Sequence, residues 1–163
     1  MNAFWAYFWL PLAAGLALGL IGGLLAFRRK TKMPVIIAAV VTCLAAVAWH
    51  GPLGAADRLT KQIESISRMS LNSYEMPMIA SHLHHGPLTR AIQLSGPADD
   101  FQRSELALIQ NQIPGVSFVS WTGESGLPLI VEGLIASLLG FLIGGGLAYG
   151  VERRRCYNAQ WTW

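Results

Sequence analysis

Three apolar runs constrain this chain more than any other feature. Residues 4–27 and 34–49 carry no charged side chain, and residues 127–151 carry one, Glu132. A helix over the first run would reach about 36 Å, enough to cross a hydrocarbon core of about 30 Å with some tilt. The second run would reach only about 24 Å, so a crossing there needs Met33 and His50 as well. Composition agrees: 13% of residues are charged, where a soluble domain carries roughly a quarter.

The first run reads as a retained helix. A signal peptide has positive charge before a shorter apolar core and a small-residue cleavage site after it. Here the charge follows, as Arg28-Arg29-Lys30. Phe4, Trp5, Tyr7, Phe8 and Trp9 crowd the first turns, as in an interfacial aromatic belt. Positive charge marks the cytoplasmic side of a membrane protein. The loop 28–32 and Arg153-Arg154-Arg155 are the two basic clusters, and three spans place both inside. The expected protein is a multi-pass protein of the bacterial inner (plasma) membrane, with a periplasmic N-terminus and a cytoplasmic C-terminus. Its segments are a transmembrane hairpin over 4–49, a periplasmic domain over 53–122, a third helix over 127–151 and a basic, aromatic tail over 152–163.

Small residues recur along two of the runs. Gly15, Gly19 and Gly23 share one face of the first, and Gly133, Ser137, Gly140 and Gly144 recur in the third. Such strips let another helix backbone approach closely. Packing within the chain and packing against a partner both satisfy the pattern.

The segment between the second and third runs reads as a small aqueous module. Residues 55–72 form an amphipathic helix with Leu59, Ile63, Ile66 and Ser70 on one face. Residues 76–83 suggest a strand, His84-His85-Gly86-Pro87 a turn, and 88–94 a second strand ended by Ser95-Gly96-Pro97. Asp99 and Asp100 can cap a helix whose apolar face is Phe101, Leu106, Ile109 and Ile113, widened by Leu108. Pro114-Gly115 stops it, and residues 116–121 alternate as a last strand. The fold class is therefore α+β, in the order αββαβ, carried on three transmembrane α-helices.

Ile92-Gln93-Leu94-Ser95-Gly96, then Gln102-Arg103 opening a helix, then Ile113-Pro114-Gly115-Val116 and Val119 carry a resemblance. Residues 74–121 resemble the BON domain, in which a strand ends in Leu-Ser-Gly, a helix follows, and a Pro-Gly-Val or Gly-Val turn starts the last strand. The resemblance implies an αββαβ fold and a non-catalytic envelope module that contacts phospholipid or other envelope proteins. The His-His-Gly-Pro turn departs from the tight Asp-Gly or Asn-Gly type.

Little else points to chemistry. His82 and His84 would share a strand face as a metal pair, but no Cys or second cluster completes a site, and solvated turn histidines are the better reading. Haem ligation needs histidines within the apolar runs, and these have none. Glu132 reads as an interfacial or helix-paired carboxylate. Cys43 and Cys156 form no disulfide or zinc framework. The basic residues lie in membrane flanks, so nucleic-acid binding is not expected. No catalytic, cofactor or metal residue is assigned.

The expected function is that of a non-catalytic accessory or scaffold subunit of an inner-membrane complex, with lipids and integral membrane proteins as partners and homo-oligomerisation left open. Trp121, Trp161 and Trp163 are candidate docking aromatics. The alternative is an envelope sensor or binding module that recognises phospholipid or peptidoglycan. An exposed apolar face on the module would favour that alternative. A bare groove between the membrane helices would favour the subunit.

Overall fold

The computed structural model describes residues 3–160. The elements in chain order are α1 (Ala3–Arg29), α2 (Met33–His50), α3 (Ala55–Ser73), β1 (Ala80–His85), β2 (Leu88–Ser95), α4 (Asp100–Asn111), β3 (Phe118–Ser120) and α5 (Leu129–Ala159). The class is mixed α+β. Three helices are long and apolar enough to cross a membrane: Phe4–Arg29, Met33–His50 and Leu129–Ala159. The chain divides into two compact units. One comprises Gly54–Glu132 with the opening residues through Ala6; the other comprises Tyr7–Leu53 and the chain from Gly133 onward.

The first unit is built on a three-stranded sheet in the order β1-β2-β3. β1 and β2 form an antiparallel hairpin, and β3 pairs parallel to β2 after the α4 crossover. Register sets Ser81 opposite Leu94 and Leu83 opposite Ile92, so these four share one face. Helices α3 and α4 cover that face, and Leu59, Ile63, Leu71, Leu83, Ile92, Leu94 and Leu106 form its core. On the other face, Thr89 and Ala91 are fully buried. The chain returning towards α5 lies there, with Thr89 bridged to Pro128 and Gly126 against the Phe118 ring.

Several local boundaries differ from the sequence reading. β1 starts at Ala80 rather than at Met76. Glu75 sits at φ 57 and Pro77 follows, so the chain turns there instead of extending. The strand then includes His84 and His85, because His85 pairs with Leu88 and leaves only Gly86-Pro87 as the loop. On α3 the buried stripe is Leu59, Ile63, Ser67 and Leu71, while Ile66 and Ser70 are only half-buried. On α4 the inward positions are Leu106 and Gln110, with Ile113 just beyond. Phe101 and Leu108 point outward, at 73% and 62% exposed. The last strand is shorter than residues 116–121, although the Ser117 N–H donates to the Arg90 carbonyl at 2.9 Å and extends the pairing by one residue.

The second unit contains the bulk of the three long apolar helices. α1 ends in a left-handed cap at Lys30, φ 52, and the Thr31 N–H closes it on the Ala26 carbonyl at 3.3 Å. α2 begins with Pro34 in its first turn, where the missing N–H is harmless. It includes both Met33 and His50, the two residues a crossing required. α5 continues through Arg153–Arg155 to Ala159 instead of ending near Val151. Arginine is a good helix former, and no Gly or Pro follows Gly150 within the helix.

Candidate functional site

The small-residue strips meet each other. α1 and α5 run parallel, with Gly15 against Ser137, Gly19 against Phe141 and Gly23 against Gly145 and Ala148. A Cβ on Gly15 would collide with the Ser137 carbonyl oxygen, and one on Gly19 with that of Phe141. From the other side, Gly140 faces the Leu12 carbonyl oxygen and Gly144 that of Leu16, equally without room for a Cβ. Of the two packings open at the sequence level, these residues serve the one within the chain. Ser137 is 1% exposed, and its hydroxyl donates to the Leu134 carbonyl at 2.9 Å.

Gly133 has a different neighbour. Its Cβ position lies 3.1 Å from the Tyr7 hydroxyl, a side chain that is 2% exposed. Tyr7 Oη lies 2.7 Å from His50 Nδ1, and the Trp49 indole N–H donates to the Tyr7 carbonyl at 3.1 Å. Aromatic and polar groups thus close the end of the helices where α1 enters the unit. The sequence marks Tyr7 only as part of an aromatic belt, and its pairing with a histidine 43 residues away has no local signal.

In the sheet unit the strongest polar feature is Arg90. Its Nε donates to Glu132 Oε2 at 2.6 Å and its Nη2 to Glu132 Oε1 at 3.0 Å. Its Nη1 donates to the Gly115 carbonyl at 3.2 Å, and the guanidinium lies 5.3 Å from the Phe4 ring centroid. The two side chains are 19% and 18% exposed. This bidentate fork ties β2 to the first turn of α5, where a carboxylate also suits the helix dipole. The sequence marks Glu132 as the lone acid of its apolar run and gives no comparable sign of Arg90.

A second polar cluster lies inside the module. Ser67 Oγ is 2.8 Å from Ser81 Oγ and 2.7 Å from Gln110 Oε1, and all three residues are buried. With one proton to give, Ser67 donates to the amide oxygen and accepts from Ser81. The signal available in sequence was the spacing of Leu59, Ile63, Ser67 and Leu71, which places a serine in the middle of the buried stripe.

The remaining candidates have local roles. The Trp121 indole N–H donates to the Arg103 carbonyl at 3.2 Å, and the Arg103 guanidinium stacks 5.5 Å from its ring centroid. Its ring is thus engaged by α4. Asp99 caps α4, accepting from the Gln102 N–H at 2.7 Å while the Gln102 side chain accepts from the Asp99 N–H. His82 is exposed, His84 Nδ1 lies 2.9 Å from the Pro87 carbonyl, and His85 lies 3.5 Å from Glu64. No group of three or more His, Cys, Asp or Glu side chains is arranged around a common point among the described residues. Cys43 and Cys156 are free thiols. Trp161 and Trp163 lie outside the described residues.

Each unit also has a surface recess. In the sheet unit, Ser104, Ala107, Leu108 and Asn111 of α4 face Phe118 and Val119 across a shallow groove. In the second unit, α1, α2 and α5 leave an apolar groove bordered by Phe27, Phe141 and Tyr149. No protein-family model matches the chain, and neither curated proteins nor solved structures give a match.

Proposed function

We propose that this chain is a non-catalytic accessory or scaffold subunit of a bacterial inner-membrane complex. In this reading the module over α3–β3 is BON-like, lies on the periplasmic side and makes protein contacts. The order αββαβ and the residues around Leu94-Ser95-Gly96 and Pro114-Gly115-Val116 support the family assignment.

The two features meant to separate this reading from the envelope-binding alternative are both present. The helices leave an open groove, and Phe101 and Leu108 leave an apolar face on the module. The observation that favours the subunit reading is the difference between the two sheet edges. The β1 edge is guarded: it carries a bulge between Leu83 and His85, and Glu64 accepts from the Leu83 N–H at 3.1 Å. β3 is the other edge, with Phe118, Val119 and the Leu108 groove beside it. The N–H and C=O groups that an edge strand offers, next to a groove with apolar side chains, suit an added polypeptide segment. A lipid tail cannot satisfy them.

The test is recovery of tagged full-length protein from native membranes in mild detergent, followed by mass spectrometry and native sizing. One complex is expected with wild type and its loss with Leu108→Glu, whose thermal stability should match wild type because the side chain is exposed. Recovery of both proteins as the same lipid-bound monomer or homo-oligomer would shift the weight to the envelope-binding reading, which the exposed Phe101 and Leu108 favour.

A further inference from the structure

The groove among α1, α2 and α5 has a volume of about 1000 Å³, at the upper end of the roughly 300–1,000 Å³ of small-molecule sites. Its wall is apolar and includes small residues, Gly23, Ala26 and Gly146 among them. Its mouth is different. Lys30, Thr31 and Lys32 line it, with no carboxylate among the lining residues.

Lys30 is the informative residue. It holds φ 52, the left-handed cap position where glycine avoids the strain of a Cβ. Arg28 and Arg29 already place positive charge in the last turn of α1. Helix termination therefore does not call for a lysine here. What the lysine adds is a cation at the mouth of an apolar groove.

We propose that the groove binds one anionic phospholipid of the cytoplasmic leaflet, with acyl chains along the Gly23–Gly146 wall and the phosphate between Lys30, Lys32 and the Thr31 hydroxyl. The proposal rests on reading α1, α2 and α5 as membrane spans with loop 28–32 on the cytoplasmic side; it does not require the subunit reading. Charge complementarity selects the occupant. A phosphate of the inner leaflet lies at the depth of a basic cytoplasmic loop, and acyl chains follow an irregular wall. A partner helix would have to bring its own acid to meet the same lysines.

The experiment uses full-length protein in nanodiscs of mixed phosphatidylglycerol and phosphatidylcholine, released into mild detergent and weighed by native mass spectrometry. Wild type is expected to retain one phosphatidylglycerol in preference to phosphatidylcholine. Lys30→Gly should lower that retention about fivefold, the weight of one basic residue near an anionic surface, while leaving the melting temperature equal or higher. Gly146→Leu should abolish retention without unfolding, because its Cβ position has no neighbour within 4 Å. Equal retention of the two lipids, or no effect of either variant, overturns the proposal. So does a cross-link from Gly146→Cys to a second copy or to another protein's helix. Extraction of the chain from membranes by alkaline carbonate would overturn the span reading itself, whereas firm integration without lipid preference removes the lipid site alone.

Discussion

The α1–α5 seam makes a sharp demand on two glycines of the same unit. Gly19 and Gly146 both lie in long apolar helices, yet their surroundings are opposite. A Cβ at Gly19 would sit 2.9 Å from both Cα and the carbonyl carbon of Phe141, and closer still to its oxygen. At Gly146 it would meet nothing within 4 Å. Relief at Gly19 requires the backbones to part by about an ångström, since ordinary carbon–oxygen contacts are about 3.3–3.6 Å. A gap of that size forfeits roughly a quarter to a half of each dispersion contact along the seam, and overpacking of this kind typically costs about 1–3 kcal/mol. Against this, alanine regains up to about 1 kcal/mol of helix propensity at either site. Gly19→Ala should therefore lose up to about 2 kcal/mol net, and Gly146→Ala should gain about 0.5–1 kcal/mol. At roughly 2–4 °C per kcal/mol, melting of the full chain in detergent should fall by several degrees in the first and rise slightly in the second. The assay is thermal unfolding followed by size exclusion at fixed detergent. Equal shifts of the same sign in both variants would mean that the backbone contact of α1 with α5 is not part of the folded state.

Two further perturbations test the sheet unit. Replacing Arg90 with Met strands the Glu132 carboxylate and should cost about 1–3 kcal/mol, less than a fully buried pair because both side chains keep some solvent; Arg90→Met with Glu132→Leu should recover part of that loss in a double-mutant cycle, and strict additivity in thermal unfolding would rule out the coupling. Ser67→Ala leaves Gln110 Oε1 without its donor and Ser81 without its acceptor, for a loss of about 1–3 kcal/mol, while Ser70→Ala on the half-buried flank should stay within about 0.5 kcal/mol; hydrogen exchange of the α3 and α4 amides separates the two.

The three long apolar helices were legible because each is encoded by contiguous residues. Absence of charge over a run and a basic cluster beyond it need no knowledge of what lies elsewhere in the chain. The same reasoning misjudged the end of α5, because Arg153–Arg155 mark where the apolar run ends and not where the backbone stops being helical. In the module, the element order was readable from Gly, Pro and Asp punctuation, but the faces only in part: Leu59, Ile63, Leu106 and Ile113 are buried as their spacing implies, and other positions are not. Phe101 and Leu108 are apolar and exposed, and Ser67 and Gln110 are polar and buried, so hydropathy alone assigns all four wrongly. The contacts that give each unit its polar specificity were out of reach for a further reason. Tyr7 with His50, Ser67 with Gln110 and Arg90 with Glu132 are each separated by 42 or 43 residues, and no periodicity within a helix or strand records such a pairing.

The glycine strips show where a little more could have been extracted. Their spacing left two packings open, within the chain or against a partner. The charge pattern narrows the choice. If loop 28–32 and Arg153–Arg155 lie on one side of a membrane, α1 and α5 must run in the same direction. Two parallel helices with small residues every fourth position can interlock only if the strips are offset, so that each glycine faces the partner's carbonyl and not its glycine. The observed register has that form: Gly15 and Gly19 meet the Ser137 and Phe141 carbonyls, while Gly140 and Gly144 meet those of Leu12 and Leu16. Once both strips are occupied by each other, neither is free to hold another protein. Whatever binds the helices must use the surface that the seam leaves open, where Gly146 and Gly150 have empty Cβ positions.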